Sequence, residues 1–315
     1  MSSPITIVIP VYNRAHTLPR TLLSIQKQTV QPAKLVLVDN GSTDTSMQVM
    51  TDWADTHPDT IIVSEQKPGA AAARNRGLRE VDTEFVMFFD SDDVMMPAHV
   101  EDFTKAIEEH QDTDVFGRTI FTEFPTDFRK RDFFTATRPL FNHIFRGCLS
   151  TQRIVVRTSL VRAVGNWNEE LPVWNDFELG VRLLLRARKV HNLGGAPTVI
   201  AYHQDVSITG SDFYSKHGDW EKSLSAIRKT LEEAGREDMM KWVDARYMIL
   251  AAHYELEARN QEDKDRAKEI HSAAANLMKR TLESSPYPSR MKLLYLHNLY
   301  FRRLTWLLAR MLFPL

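Results

Sequence analysis

Short runs of apolar, mostly β-branched residues recur through the first hundred positions: Ile5 to Ile9, Leu35 to Val38, Ile61 to Val63, and the longer Glu84 to Phe89. An unbroken apolar run of this length suits a strand covered on both faces, so these segments are predicted to pair in a largely parallel sheet. Amphipathic or small-residue stretches separate them and predict helices near 15–28, 44–56 and 70–80, with Pro58 and Pro68-Gly69 breaking the chain around the third strand. This alternation implies a doubly wound α/β sheet flanked by helices, and such sheets bind ligands beyond the carboxyl ends of their strands.

From about 97 to 210 the pattern is mixed, with helices expected at 97–110 and 176–188 and strands near 115–121, 152–157 and 197–202. After Gly210 nearly everything favours helix, in stretches near 219–234, 238–259, 263–283 and 289–312. Two regions follow from this change: an α/β domain over 1–210 and a helical C-terminal region over 211–315.

Composition narrows the class without naming it. With 43% hydrophobic and 26% charged residues the chain has the apolar content of a folded protein. Lys plus Arg (40) nearly cancels Asp plus Glu (41), so no global field favours a polynucleotide, and no nucleic-acid partner is expected. The single cysteine, Cys148, allows neither an intrachain disulfide nor a cysteine zinc site and fits a reducing, cytoplasmic setting. The apolar run before Pro10 is too brief for a signal-peptide core or a membrane span.

The strand ends carry the candidate chemistry. Strand one runs into Pro10-Val11-Tyr12-Asn13, strand two into Asp39-Asn40-Gly41-Ser42, and strand four into Asp90-Ser91-Asp92-Asp93. Neither a G-x-G-x-x-G turn nor a Walker-type loop is present, which argues against the usual dinucleotide and NTPase sites. Asp90 and Asp92 share one side of an extended segment, an arrangement suited to a hard divalent cation bridging carboxylates and a phosphate. Asp39 could accept hydrogen bonds from a base or ribose, or could serve only the turn at Gly41, and both readings stay open. In the small-residue helix start after Gly69, Arg74 is the candidate for an oxyanion or base contact, since a guanidinium fork matches oxyanions.

Together, Ile7 to Asn13, Val38 to Asp44, Ala73 to Gly77 and Phe89 to Asp93 resemble glycosyltransferase family 2, the inverting enzymes of GT-A fold, over residues 1 to about 210. The resemblance implies a nucleotide-diphospho-sugar donor, usually a UDP-sugar, a hydroxyl acceptor and a Mn2+ or Mg2+ ion. It puts Asp39 at the base, Asp90 near the ribose and the metal, and Asp92 on the metal, with Pro10, Tyr12, Asn13, Arg74 and Ser91 lining the donor site. It also implies a hexosyl- or N-acetylhexosaminyltransferase of polysaccharide or glycan biosynthesis. Trp174 to Leu183 resembles the stretch that carries the family's base, with Asn175 in place of the first acid, which leaves Asp176 as the candidate. Trp174 could stack on a sugar, although packing is the commoner use of tryptophan. Tyr202 to Thr209 resembles the segment that closes the family's site, offering His203 as a metal ligand. The competing readings are a nucleotidyltransferase acting on a sugar phosphate, which would want a glycine-rich basic loop after strand one, and a non-catalytic nucleotide-sugar-binding relative.

Residues 290–315 mix Leu, Tyr, Phe and Trp with five Arg or Lys and contain no Asp or Glu. Such a segment suits the inner face of a membrane, where a lipid-linked acceptor would be met; packing against neighbouring helices or in a homodimer is the alternative.

Overall fold

The computed structural model describes residues 3–124, 129–202, 214–301 and 305–313. The chain forms two compact units, Met1–Leu140 with Cys148–Asp205, and Phe141–Gly147 with Val206–Leu315. The expected boundary at 210 to 211 lies outside the described residues.

The first unit is built on strands β1 (Ile5–Val11), β2 (Lys34–Asp39), β3 (Thr60–Ser64) and β4 (Phe85–Phe88), linked by α1 (Leu18–Gln26), α2 (Ser46–Ala54) and α3 (Ala70–Leu78). β4 is followed by β5 (Val94–Met95), α4 (His99–Glu109), β6 (Val115–Gly117), β7 (Ile120–Glu123) and β8 (Arg129–Asp132). After α5 (Pro139–Arg146), most of which belongs to the second unit, come β9 (Ile154–Arg157), α6 (Thr158–Ala163), α7 (Asn175–Arg186), β10 (Val190–Asn192) and β11 (Val199–Tyr202).

Seven strands pair in the order β10-β6-β9-β4-β1-β2-β3. The β4-β1-β2-β3 half is parallel, as the apolar runs predict, whereas β9 runs antiparallel between β4 and β6. A smaller sheet has the order β5-β11-β7-β8. The expected strand over 115–121 is therefore two strands in different sheets, β6 and β7. The chain leaves the large sheet at Arg118, whose buried guanidinium reaches Asp102 and Thr198.

The alternation of the four parallel strands explains why their sequences are apolar throughout. Ile5, Ile7, Ile9, Leu35, Leu37, Phe85 and Met87 pack with α1 and α4 on one face. Val8, Val36, Val38, Val86 and Phe88 pack with α3, α6 and α7 on the other. Helix α3 lies so close to the sheet that a Cβ at Gly77 would stand 2.4 Å from Val8 and 2.9 Å from Val38, so only glycine fits there.

His99, at the start of α4, is fully buried, with Nδ1 2.7 Å from the Thr198 hydroxyl. Burial, reinforced by Arg118, pushes its pKa down to about 3. The unfolded chain takes up a proton near pH 6.5 that the folded chain refuses, so this contribution to stability is present above that pH and lost as pH falls toward 3. The unfolding free energy from urea titration should fall between these limits with a slope from this residue of about 1.4 kcal/mol per pH unit. His99→Phe should flatten that limb; an unchanged acid slope in the variant contradicts the assignment.

The second unit contains α8 (His217–Glu233), α9 (Met240–Asn260), α10 (Lys264–Ser284), α11 (Pro288–Phe301) and α12 (Thr305–Leu312). Its core centres on the fully buried Trp242 of α9, against which Phe141 and Phe145 of α5 and Phe313 pack edge to face.

Candidate active site

Because β2 and β4 lie on opposite sides of β1 and the helical connections change face there, the loops after β1 and β4 open at the point where the strand order reverses. That is the standard ligand position of an open α/β sheet. Asn13, held in the left-handed region at φ 52°, turns the chain out of β1. Its side-chain oxygen accepts from the Thr43 N–H at 2.8 Å, and its own N–H donates to Ser42 at 3.1 Å, so the loops after β1 and β2 are joined. Pro10 is half-buried before this turn, and Tyr12 projects from it, 58% exposed.

Asp39 ends β2 buried, its two oxygens accepting from the Gly41 and Ser42 N–H groups at 3.2 Å each. The turn role is thus filled, and each oxygen keeps a second acceptor direction for a ligand.

Arg74 organises the centre. It is buried on α3, stacks over the Trp167 ring at 4.5 Å, donates to Asp90 at 2.7 Å and reaches the Asn175 side-chain oxygen at 3.3 Å. One guanidinium thereby connects the end of β4 with the start of α7. Gln152, in the turn before β9, donates to the other Asp90 oxygen, so both oxygens of Asp90 have protein partners.

Asp92 is different. Its carboxylate accepts no hydrogen bond from another described residue, and the nearest cation, Arg14, stands 3.7 Å away. Burial, with repulsion from Asp90, pushes its pKa up; Arg14 and Arg20 oppose this only in part. A desolvated, under-compensated carboxylate beside a second one is a donor set that suits a hard divalent cation. Among the described residues no group of three or more His, Cys, Asp or Glu comes together as a metal cluster, and His203 lies outside them. Ser91 is buried, and Asp93 turns inward to accept from the Tyr202 N–H at 2.9 Å, tying the run to β11.

Helix α7 opens with Trp174 at φ 49°, partly buried and edge-on to Phe177. Asn175 is buried and used structurally, holding Arg74 and the Leu171 carbonyl. Asp176 follows, accepting from the Phe177 N–H at 2.8 Å. Burial raises its pKa, with Arg74 and Arg153 opposing and Asp90 adding to the rise. Sequence reasoning passed over Gln152, Arg153 and Trp167. Gln152 and Arg153 arrive beside Asp90 and Asp176 only because β9 returns antiparallel against β4, and no local motif announces that pairing.

The sequence profile of glycosyl transferase family 2 matches residues 6–162. A PGL/p-HBAD biosynthesis glycosyltransferase of Mycobacterium tuberculosis is 31% identical over 186 residues, 58% of this chain and 70% of that one. The chain belongs to glycosyltransferase family 2. Glycosyltransferase GlyA of Streptococcus pneumoniae is 36% identical over 107 residues, 34% of this chain, which thus spans only 15% of that relative's length. Among solved structures, S. aureus TarS 1-349 in complex with UDP-GlcNAc is 19% identical, with a TM-score of 0.69 over 99% of this chain and 88% of that one, a likeness of fold.

Proposed function

We propose that the chain is an inverting, metal-dependent glycosyltransferase that moves a hexosyl or N-acetylhexosaminyl unit from a UDP-sugar to a hydroxyl acceptor of a growing glycan. The observation that carries this reading is Arg74, whose contacts to Asp90 and Asn175 link the carboxylate run after β4 to the start of α7, where Asp176 follows.

In this reading Asp39 receives the base, the loop from Pro10 to Asn13 and Ser91 border the nucleotide, Asp90 faces the ribose, and Trp174 flanks the sugar. A Mn2+ or Mg2+ ion held by Asp92, with Asp90 beside it, would offset charge on the departing diphosphate. Asp176 takes the proton of the acceptor hydroxyl as that oxygen bonds to the anomeric carbon and the carbon–oxygen bond to the diphosphate breaks. The raised pKa suits this task, because a more basic carboxylate holds the proton better.

Thermal unfolding in the presence of a panel of nucleotide sugars, with Mn2+, Mg2+ or chelator, tests the donor assignment. A hundredfold excess of the true donor over its Kd should stabilise the protein by about 2.7 kcal/mol, and chelator should remove most of that. No response to any nucleotide sugar, or an equal response with chelator, contradicts it.

A further inference from the structure

Helix α11 is apolar on two sides. Met291, Leu294 and Tyr295 face inward and are buried, as the core requires. Leu293, Leu296 and Tyr300, spaced three and four apart and hence on one stripe, are 48%, 40% and 65% exposed. Helix α12 repeats the pattern, with Ala309, and Phe313 just after the helix, buried while Leu307 and Met311 are exposed. The helices pair end to start: Arg290 donates to the Leu312 carbonyl at 2.8 Å, and Tyr287 meets Phe313 edge to face. The outward apolar side chains therefore belong to a single helical hairpin.

Its charge is of one sign. Arg290, Lys292 and Arg310 are exposed on these helices, and from Ser284 to Leu315 the sequence holds no carboxylate side chain. Against a second copy of the same face these cations would meet like charges, an arrangement that opposes association. An anionic bilayer satisfies both features, since leucine and aromatic side chains sink below the headgroups while the cations meet lipid phosphate. No helix among the described residues is long and apolar enough to cross a membrane.

We infer that the α11–α12 hairpin is a peripheral docking surface for an anionic phospholipid bilayer. The inference stands apart from the transfer chemistry, because it is read by binding alone.

The full-length chain is mixed with phosphatidylcholine vesicles made with or without phosphatidylglycerol, and the bound fraction is measured by flotation. Binding is expected only with phosphatidylglycerol and should weaken in high salt. Lys292→Ser and Arg310→Ser should each lower partitioning by about fivefold, the equivalent of one cation near an anionic surface. Leu296→Glu with Met311→Glu should abolish it. Both positions are exposed, and an unchanged melting midpoint establishes that this variant folds. Leu23→Glu, at an exposed apolar position on α1, should bind like the unaltered chain. The inference is overturned if phosphatidylglycerol vesicles capture nothing, or if Leu296→Glu with Met311→Glu floats as well as the unaltered chain. It is equally overturned if sedimentation velocity shows a dimer that these two substitutions disperse.

Discussion

Asp176→Asn is expected to slow transfer by about a hundredfold to ten-thousandfold, the usual worth of a positioned general base, while donor affinity stays within about twofold. The substitution keeps the size of the side chain and its ability to accept from the Phe177 N–H, so the start of α7 should keep its geometry. What it removes is the proton acceptor. The pH profile gives a second readout with a definite sign. Burial holds the Asp176 pKa above the ordinary Asp range, and the base acts as the carboxylate, so transfer should rise with pH through that elevated value and be lost below it. In kcat/KM this appears as an acidic limb lying above the one an unperturbed aspartate would give. Donor titration by calorimetry and rates across pH check both parts together. An Asp176→Asn enzyme with full activity eliminates Asp176 as the base, whatever the profile looks like.

Much of this arrangement was legible in the chain because the parallel half of the sheet writes itself locally. Residues of β1, β2 and β4 are buried on both faces, so each strand is an apolar run, and each run stops where polar turn residues begin. Asp39 and Asp90 could be singled out on that basis alone. The segment of β9 was legible as a strand over 152–157, but its antiparallel place between β4 and β6 was not, and neither were the short β5, β8 and β10. They have three or four residues, or two in the case of β5, and their order depends on partners far away in sequence. For the same reason Arg74 could be picked as a ligand-binding candidate, but its role as the link between Asp90 and Asn175 could not. That contact joins positions 101 residues apart, and it forms only once α7 has packed on the same face of the sheet as α3. The Asn175 departure from the acidic pair becomes intelligible in the same way. A neutral amide there accepts from Arg74 and donates to the Leu171 carbonyl at once, which a carboxylate does not do.

Asp92→Ala should separate binding from stability in the opposite sense to most site substitutions. Asp90 is engaged by Arg74 and Gln152, so its removal strands a buried guanidinium and should lower the unfolding midpoint of the free protein. Asp92 lacks such partners: it is partly desolvated, lies beside a like charge, and has Arg14 only at 3.7 Å. In the ligand-free protein its negative charge therefore works against the fold, and alanine there should leave the midpoint unchanged or higher. The same substitution should remove the metal-dependent part of UDP-sugar binding and reduce transfer by at least about a hundredfold, since a desolvated carboxylate held beside a second one and only partly compensated by Arg14 is placed for function rather than stability. Melting curves of Asp90→Ala and Asp92→Ala, each with and without Mn2+ and donor, give the comparison. A lowered midpoint for ligand-free Asp92→Ala would show that the carboxylate is a structural partner. Metal-dependent donor binding that survives Asp92→Ala would move the cation to other ligands.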